Sequence, residues 1–185
     1  MLSTHPYPAG ELTEMRCAAT DYAAHGWLIC PGARVPQPGS GASDGRSLPE
    51  EANLVCRGGP LSKDEAFEAW TDRPWPILLR PGAVGVLDLG PGDGRTEAVL
   101  RNAGCLGPIL VGPGSRWHLI VEHIPDRRAR ASRVPRSVRE GCLLLPPSRV
   151  PSWISRWRIS PEDTGWSLPD HASARAALNA GTRRD

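Results

Sequence analysis

The stretch Gly85–Gly94, GVLDLGPGDG, decides how this chain is read. It belongs to an apolar run, Val84–Leu89, that has the length of one buried strand. One acid, Asp88, interrupts the run near its end. Gly90-Pro91-Gly92 then breaks it, and Arg95–Ala103 has the spacing of a helix stopped at Gly104. Asp88 has two roles open to it. It either accepts amide hydrogens from the turn around Gly90–Gly92 or presents a carboxylate to a metal ion.

Outward from this strand and turn, short elements alternate with many breakers. Leu12–His25 reads as a helix with Thr13 as its cap and Gly26 as its stop, and Trp27–Cys30 as a strand. Pro31–Asn53 is rich in Gly, Pro and Ser without an apolar period, so it reads as a long surface loop. Ser62-Lys63-Asp64-Glu65 fits a capping box, which starts a helix running to Trp70. Strands are expected at Ile77–Arg80, Ile109–Val111, Trp117–Glu122, Cys142–Leu145 and Trp153–Ile159, and a capped helix at Asp170–Ala180. Helices and strands do not follow a strict βαβ order, which indicates an α+β fold. The expected organisation is a tail over 1–11, one domain over 12–161 and a C-terminal helix and tail over 162–185.

Composition narrows the function classes. A net charge of +2 gives no global attraction for nucleic acid. The basic residues are twenty-one Arg and one Lys, Lys63, which reflects a coding bias more than a partner. Six of the arginines, Arg127, Arg128, Arg130, Arg133, Arg136 and Arg139, form a run that is either a solvated face or a phosphate-binding strip. Trp153, Trp157 and Trp166 either stack on bases or pack under a sheet. The five cysteines are widely spaced without a CxxC pair, an argument against a disulfide framework and a zinc knuckle. Cys105 and Cys142 read as small core residues. With no secretory or membrane-spanning run, the expectation is a cytoplasmic protein with no membrane partner.

Two resemblances follow. GVLDLGPGDG before a helix resembles the cofactor turn of S-adenosylmethionine-dependent methyltransferases. Ile109–Val111, where an acid for ribose is expected, instead ends in Gly112-Pro113-Gly114. The second resemblance covers about Ala18 to Pro161. HGWLICPGARVP (25–36), RPWPILLRPG (73–82), VGVLDLG (84–90), GPGSRWHLIV (112–121) and SVREGCLLLPPS (137–148) followed by Trp157 together resemble the N-terminal domain of bifunctional DNA primase/polymerases, the prim-pol branch of the archaeo-eukaryotic primases.

That resemblance implies a mixed sheet core in two parts, with flanking helices and a variable loop over 31–53. In the family, acids at i and i+2 of the central strand hold Mg²⁺ or Mn²⁺ for nucleotide transfer, a nearby histidine contacts phosphates, and a third acid precedes the PPS turn. Asp88 matches the first acid and metal ligand, His118 the catalytic and phosphate-contacting histidine, and Arg116 an accessory positive charge. The i+2 position holds Gly90 and the third acid's position Ser137, with Asp93 and Glu122 as candidate substitutes. The family's loop zinc lacks ligands here beyond the flanking Cys30 and Cys56, so no zinc is expected. The resemblance therefore implies a protein that binds nucleotide or DNA and is weak or inactive as a nucleotidyltransferase. A methyltransferase and a non-catalytic interaction protein are the alternatives.

Overall fold

The computed structural model describes residues 9–34, 54–123, 136–137, 142–150 and 153–181. Among these, four α-helices, two larger antiparallel sheets and one two-stranded hairpin make an α+β protein. The chain divides into two compact units, Met1–Arg80 with Cys142–Ile154, and Pro81–Gly141 with Ser155–Asp185.

In the first unit, helix α1 (Ala9–Ala24) leads into strand β1 (Ile29–Arg34). Thr13 lies inside α1 rather than at its cap, since the helix begins four residues earlier. Met15, Ala19 and Tyr22 form its buried face, and Tyr22 stacks on Trp27 with ring centroids 5.3 Å apart. The sheet order is β2-β1-β3-β8, with β2 at Leu54–Cys56, β3 at Ile77–Leu79 and β8 at Leu143–Leu145. The expected loop at 31–53 therefore starts late. Pro31–Arg34 continues β1, because Gly32 and Arg34 pair with Cys56 and Leu54 of β2. Residues 35–53 lie outside the described residues.

Helix α2 (Lys63–Ala69) carries the capping box read from the sequence. Glu65 Oε2 accepts from the Ser62 amide at 2.8 Å, and Ser62 Oγ accepts from the Glu65 amide at 3.4 Å. Strands β3 and β8 are buried along their whole length, which explains their unbroken apolar runs. The turn after β8 is locked by Ser148, fully buried, whose Oγ accepts the Ile77 amide at 2.7 Å. Tyr22 donates to the Pro146 carbonyl in the same turn. A short hairpin of β9 (Arg149–Val150) and β10 (Trp153–Ile154) completes this unit.

The second unit is built on a five-stranded sheet of order β11-β5-β6-β4-β7. Its strands are β4 (Val84–Pro91), β5 (Ile109–Val111), β6 (Arg116–Glu122), β7 (Arg136–Ser137) and β11 (Arg156–Ile159). Helices α3 (Gly94–Asn102) and α4 (His171–Gly181) lie against one face, where Leu87, Trp117, Leu119, Val121, Ile109 and Ile159 pack with Leu100 and Ala174. Side chains alternate along each strand, so Asp88, His118 and Leu110 stand on the opposite face.

Two expectations change here. Every strand pair in both sheets is antiparallel, where a mixed core was expected. The run Trp153–Ile159 is not one strand, because it breaks at the buried Ser155. Its first half pairs with β9 in one unit and its second half with β5 in the other. Alternation along one run does not reveal that its two halves pair with different partners. Among the described residues, no helix is long and apolar enough to cross a membrane.

Candidate functional site

The site is a register fact before it is a side-chain fact. Strands β4 and β6 run antiparallel with Val86 opposite Ile120 and Asp88 opposite His118. A β-bulge then intervenes, and Gly90 falls opposite Trp117 rather than opposite Arg116. The extra residue is Leu89, which turns its side chain into the helix-covered core. The i+2 position from Asp88 therefore lies past the bulge, paired with Trp117. After the bulge, Pro91 stands opposite Arg116.

Asp88, Arg116 and His118 come together across strands β4 and β6. The Gly90 amide donates to Asp88 Oδ1 at 3.0 Å, and Arg116 donates to Asp88 Oδ2 in a salt bridge. Gly90 has φ of +77°, a conformation that favours glycine. The turn-capping role of Asp88 is therefore present. Burial pulls the Asp88 carboxyl up, but the hydrogen bonds from Arg116 and Gly90 and the charges of His118 and Arg116 outweigh it. The net effect holds the group below its ordinary value.

His118 is only 8% exposed, and its Nδ1 has no hydrogen-bond partner among the described residues. Burial lowers its pKa, the Asp88 charge raises it and the Arg116 charge lowers it, and the net shift is downward. The ring is therefore neutral near pH 7 and has hydrogen bonds rather than a charge to offer. Gly112 makes room for it, since a Cβ there would fall 2.8 Å from His118 Nε2. Arg116 keeps 48% of its side chain exposed, with donors to spare beyond the one on Asp88.

These residues do not fit Mg²⁺ or Mn²⁺. Such ions take several oxygen ligands, and both oxygens of the one carboxylate already accept hydrogen bonds. Asp93, offered as a substitute acid, is the N-cap of α3 and accepts the Thr96 amide at 2.7 Å. Glu122 is exposed at the far end of β6, opposite Val84. On β7, Arg136 stands opposite Asp88 and Ser137 opposite Leu87. The expected third-acid position is thus on the strand beside Asp88, with a serine in it. Arg127, Arg128, Arg130, Arg133 and Arg139 lie outside the described residues.

The glycine turn that resembled a cofactor loop is filled by protein. A Cβ on Gly92 would fall 1.8 Å from the Trp117 ring, so the indole occupies the space above the turn. Arg158 lies over the same ring at 5.8 Å and pairs with Glu97, which also pairs with Arg101. Trp157, one of the candidate stacking residues, is half-buried on β11 opposite Leu110.

A second cluster escaped the sequence reading. Cys30 and Cys56 form a disulfide, which corrects the expectation drawn from cysteine spacing. The pairing of β1 with β2 closes the 26-residue separation, a distance that sequence spacing treats as unrelated. Cys142 is drawn to the same place, its Sγ 2.9 Å from that of Cys56. No signal in the sequence marks this meeting, because it depends on the strand order. The chain matches no protein-family model, no curated protein and no solved structure.

Proposed function

We propose that Asp88, Arg116 and His118 form a phosphate-binding site for a nucleotide or the end of a nucleic-acid strand, in a prim-pol-like protein that is weak or inactive as a nucleotidyltransferase. One observation carries this reading. His118, paired with Asp88 in the strand register and two residues along from a half-exposed guanidinium, has a buried ring nitrogen with no hydrogen-bond partner among the described residues. A buried polar atom without a partner costs about 1–3 kcal/mol, and a ligand oxygen restores the missing hydrogen bond once the ring turns toward it. Arg116 supplies charge and a forked donor geometry suited to phosphate. Asp88 orients that fork and limits its net charge.

Transfer chemistry asks for more than binding. In-line attack on a triphosphate needs a metal held by at least two carboxylates in the prim-pol scheme, and the second is missing here. The test pairs equilibrium binding of a labelled nucleoside triphosphate and a short single strand with primer extension in manganese. Binding that is lost in Arg116→Ala and in His118→Ala, with no extension by the wild type, is the expected result. Absence of binding to both ligands overturns the reading and leaves an interaction protein. Extension abolished by Asp88→Ala replaces it with an active polymerase.

A further inference from the structure

The first unit gathers three sulfur atoms from distant parts of the chain. Cys56 pairs with Gly32 on β1, two residues from Cys30, so Cys30 and Cys56 share one sheet face. Leu78 opposes both Cys30 and Leu144, which puts Cys142, two residues before Leu144, on that same face. The Sγ atoms of Cys30, Cys56 and Cys142 all lie within 4.8 Å of one another. Cys30 is fully buried, whereas Cys56 and Cys142 are half-buried and give solvent a way in.

A disulfide uses two sulfurs and leaves the third without a covalent role. Three is the number that an open thiolate metal site uses, its remaining position going to water. Sulfurs bound to one tetrahedral zinc at about 2.3 Å stand about 3.8 Å apart, a spacing inside the spread of this cluster. Three thiolates around a divalent cation carry one net negative charge. Arg80 follows β3 on this same face, in line with Cys142 by the β3–β8 register, and its charge counters that excess.

We propose that Cys30, Cys56 and Cys142, once reduced, form a site for a thiophilic divalent cation, with Zn²⁺ as the metal this donor set selects. The site opens in a defined step. A dithiol reductant breaks the Cys30–Cys56 bond, delivers two electrons and two protons, and leaves as its own disulfide. The cation then binds and releases the thiol protons to solvent. The bound cation holds all three sulfurs as thiolates. The ion ties β1 and β2 to the segment entering β8, and sits in a different unit from the phosphate site.

The experiment uses the full chain, reduced anaerobically with a phosphine, desalted and titrated with Co²⁺ as a spectroscopic probe. Expected is a thiolate-to-cobalt charge-transfer band in the near ultraviolet with the visible bands of tetrahedral cobalt. The band saturates at one equivalent and is displaced by Zn²⁺. Cys142→Ser weakens Zn²⁺ binding by at least about tenfold, with circular dichroism confirming the fold. In the wild type, Zn²⁺ shields Cys30, Cys56 and Cys142 from alkylation and leaves Cys17 reactive, a readout that needs no variant. A fully reduced protein without the cobalt band, or equal alkylation with and without Zn²⁺, overturns the proposal. So does Cys142→Ser binding as tightly as the wild type.

Discussion

Replacing Asp88 by Asn separates the two roles proposed for this acid by the sign of its effect. The amide keeps the shape, and its Oδ1 still accepts the Gly90 amide now bonded at 3.0 Å. What goes is the charge that holds Arg116. That pair has side-chain exposures of 48% and 14%, so its loss costs at most about 1 kcal/mol of stability and the variant folds. A phosphate on the far side of the guanidinium stands about 6 Å from the Asp88 carboxylate. At an effective dielectric of about 40, between bulk water and a protein surface, the repulsion is about 1.4 kcal/mol, roughly tenfold in Kd. Asp88→Asn therefore binds nucleoside triphosphate about tenfold tighter without metal, and the gain shrinks as salt is added. Fluorescence anisotropy in chelator at two ionic strengths measures it. Unchanged or weaker binding refutes the argument that Asp88 restrains Arg116, and weaker binding seen only with manganese returns Asp88 to a metal-ligand role.

Ser148→Ala removes the acceptor of the buried Ile77 amide and destabilises the protein by about 1–3 kcal/mol, read from urea melts. The depressed pKa of His118 makes stability fall as pH drops below 6.5, because the unfolded chain then takes up a proton that the folded ring refuses. His118→Gln flattens that part of the profile, measured by melts from about pH 7.5 to about pH 5. The depressed carboxyl of Asp88 contributes stability above pH 3.8 that is lost as pH falls through its folded value, and Asp88→Asn removes that acid limb.

Local signals carried most of the elements. Ser62 and Glu65 announce α2 because both halves of a capping box lie within one turn. Ile109–Val111 stands where its apolar run places it, and β4 begins at Val84 as its run does but continues past Leu89 to Pro91. What stayed illegible depends on pairing. Strand β2 is three residues long, and only its partner β1 makes it a strand. The cysteine cluster joins positions 86 residues apart, which no window along the chain connects. Asp88 and His118 were legible as residues, yet their meeting rests on a register that the sequence left open. The break at Ser155 has the same origin, a run with one period and two partners.

The bulge at Leu89 settles what restoring an acid can achieve. If Gly90 were simply a lost ligand, Gly90→Asp would rebuild the carboxylate pair and recover metal-dependent extension. The register argues otherwise. Gly90 pairs with Trp117 past the bulge and Pro91 with Arg116, and a Cβ on Gly90 would meet nothing within 4 Å, the Asp88 carboxylate included. An aspartate at 90 thus points away from Asp88, and the φ of +77° there costs it about 1 kcal/mol relative to glycine. Gly90→Asp is expected to lower the melting temperature slightly, gain no manganese affinity by calorimetry and extend no primer. Manganese binding that appears in Gly90→Asp and disappears in the double variant with Asp88→Ala would show that the two positions share a face. That result would remove the bulge from the explanation of the site. Without it, the barrier to transfer chemistry lies in the backbone as well as in the missing side chain, and phosphate binding asks for neither a second acid nor a straight strand.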